Sequence, residues 1–115
     1  MVPSENQILT NLRRGALEYC ILALIRDEER YGLDIARDLV DGALLAGEGT
    51  LYPLLSRLRK GGLVATSWRE STAGPPRRYY SLTAHGQQAL EVFEKTWATF
   101  RSAVDGALEH AGRQS

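Results

Sequence analysis

GTLYPLLSRLRKGGLV, residues 49–64, decides how this chain is read. Leu51, Leu54, Leu55 and Leu58 recur at helical spacing and give a helix over residues 50–60 one apolar face. Tyr52, Ser56, Arg57, Arg59 and Lys60 fall outside that face. Gly61-Gly62 stops the helix, because a left-handed cap suits a residue without Cβ. Leu63-Val64 then opens an extended run. A helix with a buried side and a side of donors and cations, running at once into a strand, has the layout of a DNA-reading helix followed by a β-wing. A major groove admits a helix with such an outer face.

Upstream, residues 1–7 are polar and read as a frayed tail. Residues 11–26 form a helix whose apolar positions, among them Leu17, Ile21 and Ile25, lie on more than one side, so more than one neighbour must cover it. Residues 27–30 are a charged turn. Residues 31–45 make a second helix with Ile35, Ala36, Leu39 and Val40 inward and Gly42 weakening its end. In a helix-turn-helix this element braces the reading helix. Pro53 falls inside the third helix and bends it if it lies past the first turn.

Downstream, residues 63–69 and 79–82 read as paired strands. Ala73-Gly74-Pro75-Pro76 cannot continue a central strand and marks the hairpin tip. Arg77 and Arg78 follow, where a wing needs guanidiniums for a minor groove or a phosphate. Taken alone they are two surface arginines on a solvated loop; beside the third helix they read as a wing. Thr83 caps a last helix over residues 84–111. Its apolar positions Leu90, Phe93, Trp97, Phe100, Val104 and Leu108 step by threes and fours, a coiled-coil-like seam. So small a domain cannot cover that seam, which implies a homodimer. The fold class expected is therefore mainly α with a small β-hairpin wing: a winged helix-turn-helix over residues 1–82 and a C-terminal dimerisation helix over 83–115, packed as one unit.

Composition sets the outer bounds. The 115 residues leave room for one domain, and 43% hydrophobic with 24% charged residues is ordinary for a globular protein. No apolar run is long enough to span a bilayer, and MVPSENQ lacks the basic and apolar regions of a signal peptide. With one cysteine, Cys20, no internal disulfide is available, which fits a cytoplasmic protein. Cys20 reads as a core residue rather than a redox sensor. Fourteen basic residues balance fourteen acidic ones, against the basic surplus usual for nucleic-acid binding. The distribution restores the case. Residues 56–80 hold six cations against Glu70 alone, whereas residues 27–41 are acidic. His85 and His110 have no ligand-like companions, so no metal or other cofactor is implied. No nucleophile-and-base set suggests an enzyme.

The same residues carry a family resemblance. GTLYPLLSRLRKGGLV followed by RRYYSLTAHG, with Tyr31-Gly32 and Gly15-Ala16-Leu17 upstream, resembles the PadR family of winged helix-turn-helix transcriptional regulators over about residues 10–108. Pro53 is normal in that family. One departure is Gly47-Glu48, where the family often has Ser-Pro; an anionic Glu48 near a phosphate would weaken DNA contact.

The expected partner is double-stranded DNA with a palindromic operator. Thr50, Tyr52, Ser56 and Arg57 are the expected major-groove residues, with Arg57 on a guanine. Arg77 and Arg78 serve the wing, and Lys60 and Tyr31 the phosphates. The resemblance also implies a repressor responsive to a small aromatic effector, stacked on Trp97 between the paired helices with Tyr19 and Phe93 alongside. The plainer reading makes Trp97 a seam residue packed on the partner chain. The alternative function is a winged-helix protein-interaction module without DNA binding.

Overall fold

The computed structural model describes residues 2–114, leaving aside the side chains at positions 111, 113 and 114; Met1 and Ser115, the outer ends of the two expected segments, lie outside it. The chain runs α1 (Glu5–Leu24), β1 (Arg30–Tyr31), α2 (Gly32–Asp41), a single 3-10 turn (Glu48–Thr50), α3 (Leu51–Lys60), β2 (Val64–Ser71), β3 (Gly74–Leu82) and α4 (Ala84–Gln114). The expected fold class stands, a mostly helical winged helix, but its wing is a three-stranded antiparallel sheet in the order β1-β3-β2 rather than a hairpin alone.

Each difference from the expected boundaries has a local cause. α1 begins six residues earlier than the apolar pattern placed it. Ser4 Oγ accepts from the Gln7 backbone N–H at 3.2 Å while the Gln7 side chain accepts from the Ser4 N–H at 2.7 Å, a capping box that satisfies two end donors. Residues 5–7 of the expected frayed tail are thus helical. Tyr31 does not open the second helix. With extended backbone it pairs with Tyr79, as Arg30 does with Tyr80, and α2 starts after it. α2 ends at Asp41, not at 45, because Leu44 N–H reaches Leu39 O and Ala43 N–H reaches Val40 O around a left-handed Ala43 (φ 62°). α3 ends in the same motif, Leu63 N–H to Leu58 O and Gly62 N–H to Arg59 O, with Gly62 as the left-handed residue (φ 78°). Pro53 is the third residue of α3, where no intrahelical donor is lost, so it does not break the helix.

The hairpin tip is Thr72-Ala73, not Ala73 to Pro76. Ser71 pairs with Gly74, and the register slips between Arg69 and Ser71. Pro75 and Pro76 sit in β3 opposite that irregularity, where strand prolines are tolerated because no ladder donor is required. α4 runs three residues past the expected end at 111, to Gln114.

The core gathers Ile21, Leu22 and Ile25 after or within α1, Ile35 and Leu39 of α2, Leu51, Leu55 and Leu58 of α3, Val64, Tyr80, and Leu90 of α4. Full burial of such a side chain contributes roughly 1.5–3 kcal/mol. Thr83 locks α4 onto this core. Its Oγ1 donates to Gly62 O at 2.7 Å and accepts from Gly86 N–H at 3.0 Å. Gly86 is needed there, since a Cβ would stand 2.1 Å from Leu63 O.

α4 outgrows the core. At ~1.5 Å per residue its 31 residues extend on the order of 46 Å. The radius of gyration is 17.0 Å, against about 13 Å for a compact chain of this length. Beyond Phe93 the seam lies open, with Trp97, Phe100, Val104 and Leu108 exposed, and Ile8 and Leu12 of α1 are exposed as well. No helix among the described residues is long and apolar enough to cross a membrane.

Candidate nucleic-acid interface

α3 presents two flanks. Its leucines bury one side, so the polar residues emerge either toward the sheet or toward α1. The sheet-side flank carries Tyr52, Ser56 and Arg59. Two clefts open there. One, of about 280 Å³, is lined by Tyr31, Gly32, Tyr52, Trp68, Pro76, Arg77, Arg78 and Tyr80. The other, of about 240 Å³, is lined by Tyr52, Leu55, Ser56, Arg59, Arg78 and Tyr80. The fold thus brings Tyr31, Tyr52, Ser56, Arg77 and Arg78 into one neighbourhood.

Arg77 and Arg78 are adjacent in β3 and so leave the sheet on opposite faces. Arg78 is opposite Trp68 and its guanidinium lies 5.0 Å over the Trp68 ring. Its Nε is buried without a hydrogen-bond partner. Arg77 is opposite Arg69 and lies 4.8 Å over the Tyr31 ring, while Arg69 lies 4.5 Å over Tyr79. Arg69 also pairs with Glu29, which accepts from Ser67 Oγ at 3.0 Å.

Tyr52 packs near Gly32, where an added Cβ would be 3.6 Å from its ring. Burial raises the Tyr52 pKa above its ordinary value, helped by Tyr31, Tyr80 and Glu48, so the phenol keeps its proton as a donor.

The other flank differs. Thr50 and Arg57 line a cleft of about 270 Å³ with Arg13, Arg14 and Glu18 of α1. The Thr50 hydroxyl donates to Gly47 O at 2.8 Å, inside the turn. Arg57 is ion-paired with Glu18. Its charge is therefore already matched within the chain. Lys60 is exposed at the end of α3. Gly47 opens the 3-10 turn with extended backbone and Glu48 follows it, exposed. Arg59, passed over when the DNA residues were chosen from sequence, shares the cleft of Ser56 and Arg78. Its position one residue past the buried Leu58 was the available signal.

The expected effector residues meet between α1 and α4. Tyr19 stacks on Phe93 with ring centroids 4.4 Å apart and planes within 3°, and Phe93 stacks on Trp97 at 6.1 Å. Phe93 and Trp97 line a groove of about 460 Å³ with Leu12, Gly15, Ala16 and Phe100. Cys20, half-buried, has its thiol pKa raised by burial, which keeps it an unreactive thiol. Among the described residues no group of three or more His, Cys, Asp or Glu could hold a metal ion.

Residues 21–92 match the family model described as "Transcriptional regulator PadR-like family". The crystal structure of a PadR family transcriptional regulator from Eggerthella lenta superposes with a TM-score of 0.79 at 33% identity, covering 90% of this chain and 91% of that one. A transcriptional regulator of Mycobacterium tuberculosis is 29% identical over 102 residues, 89% of this chain and 94% of that protein. Bacillus subtilis PadR in complex with operator DNA superposes with a TM-score of 0.61 at 29% identity, covering 67% of this chain and 45% of that one.

Proposed function

Because the chain belongs to the PadR-like family, whose members are transcriptional regulators rather than enzymes, we propose that it binds double-stranded DNA sequence-specifically, as a homodimer, and acts as a ligand-responsive repressor. The observation that carries the reading is the meeting of the polar flank of α3 with Arg77 and Arg78 of the sheet around common clefts. Bacillus subtilis PadR, solved with operator DNA, supports it as a relative. Residues 1–82 form the DNA-binding part and residues 83–115 the dimerisation helix.

In this reading Thr50, Tyr52, Ser56 and Arg57 enter the major groove, Arg77 and Arg78 work from the wing, and Tyr31 and Lys60 meet phosphates. Arg57 must exchange Glu18 for a base, an exchange that an exposed ion pair worth about 0–1 kcal/mol permits. The open seam of α4 joins two copies, setting two reading helices against a palindrome with half-sites roughly 34–36 Å apart. A flat aromatic effector between the paired helices, stacked on Trp97 with Tyr19 and Phe93 beside it, changes that spacing and releases DNA. A cytoplasmic location follows from such a role.

Random-sequence selection of bound duplexes, followed by gel-shift titration, tests the assignment. Arg77→Ala weakens binding to all sequences alike; Arg57→Ala relaxes preference at one base pair. If neither variant moves the titration, the surface is misassigned. Quenching of Trp97 emission by planar cationic dyes in a Trp68→Phe background tests the effector; no quenching with the dimer intact refutes it. One further reading has support of its own. A net charge of zero, with Glu18 and Glu29 matching Arg57 and Arg69, suits a protein-interaction module, which would bind no duplex even at low salt.

A further inference from the structure

A helix in a major groove and a hairpin in the neighbouring minor groove are separated by one phosphodiester strand. That strand must cross the ground between the two protein elements. Here the ground is the cleft between α3 and β3, lined by Tyr52, Ser56, Arg59, Arg78 and Tyr80. We infer that this cleft is a seat for one DNA backbone phosphate in each half-site, gripped by Arg59 and Arg78. The inference rests on the DNA-binding reading above and adds a residue and a ligand group to it.

Three observations converge. First, charge. Among the cations of α3 and the wing, Arg57 faces Glu18 and Arg69 faces Glu29, whereas Arg59 has no ion pair or hydrogen bond among the described residues. Arg77 has no ion pair among them either but leaves the sheet on the other face, over Tyr31, so the unpaired guanidiniums that line this cleft are Arg59 and Arg78. Second, an unsatisfied donor. Arg78 Nε is buried with no acceptor, and a buried donor gains by turning toward an anionic oxygen. Trp68, beneath the Arg78 guanidinium, supports it without neutralising it. Third, neutral donors. Ser56 and the protonated Tyr52 phenol line the same space, which at about 240 Å³ far exceeds the ~30 Å³ share of one water. A phosphodiester offers anionic oxygens to two guanidiniums and the hydroxyl donors beside them; a base edge, with donors as well as acceptors, fits so cationic a rim less well.

Methylphosphonate scanning of a selected duplex tests the seat. Each backbone position is made neutral in turn, and affinity is measured for the wild type, Arg59→Ala and the Arg59→Ala/Arg78→Ala pair. One position per half-site is expected to cost the wild type roughly tenfold and the double variant nothing, the worth of a charge-assisted contact. The slope of log affinity against log salt falls by about 0.9 for each seat, not twice that, because the two arginines share one phosphate. Arg59 is exposed, so the single variant carries the test should Arg78→Ala fail to fold. A penalty map identical in wild type and Arg59→Ala overturns the seat while leaving DNA binding in place. A wild type that binds no duplex overturns the DNA-binding reading and the seat together.

Discussion

The two halves of α4 carry one apolar seam and meet different surroundings. Leu90, near its start, is 1% exposed and closes the core; Leu108, further along the same seam, is 67% exposed. The spacing and the chemistry are alike. What changes is the neighbour: the first half closes the core, whereas further along the seam borders an open groove beside α1. A periodic pattern therefore names the apolar face of a helix without naming what covers it. α3 repeats the lesson with charge: Arg57 and Arg59, two residues apart, lie on opposite flanks, one matched by a carboxylate and the other free.

The contrast can be broken by mutation. Leu90→Ala is expected to lower stability by about 2–5 kcal/mol in urea unfolding, as for a buried leucine whose site cannot collapse. A loss below about 1 kcal/mol would deny that α4 is part of the core. Gly86→Ala drives a Cβ into Leu63 O and costs roughly 1–3 kcal/mol by the same assay. Leu108→Asp leaves unfolding of the separated chain within about 0.5 kcal/mol, as surface changes do, but shifts sedimentation from dimer to monomer. A variant as dimeric as the wild type would show that this seam is not the interface.

A smaller contrast lies at the ends of α2 and α3. Both helices close with the same turn, but the left-handed residue is Ala43 in one and Gly62 in the other. Ala43→Gly is expected to stabilise by about 0.5–1 kcal/mol, relieving the Cβ clash against some loss of entropy. The gain should appear as a higher urea midpoint with unchanged slope.

Much of this was legible in the residues. The leucine spacing of α3, its glycine stop, the cap at Thr83 and the open seam of α4 each follow from one local rule. The early start of α1 was legible too, in Ser4 and Gln7, but apolar periodicity drew the boundary at the first leucines instead. Tyr31 was hidden because a two-residue strand has no periodicity and is defined only by its partner, Tyr79. The hairpin tip was misplaced because Pro75 and Pro76 read as a turn; the irregular register that admits them arises between strands. The pairing of Arg57 with Glu18 joins residues far apart in the chain, and no local pattern announces it.

The central claim is that the flank of α3 and the arginines of β3 together hold DNA. The most direct test is the anisotropy of a labelled random duplex pool titrated with wild-type protein at about 50 and 200 mM salt. The account predicts binding at the lower salt and a clear loss of affinity at the higher, as counterions compete for the phosphates. Binding absent at the lower salt, or equal at both, would contradict it.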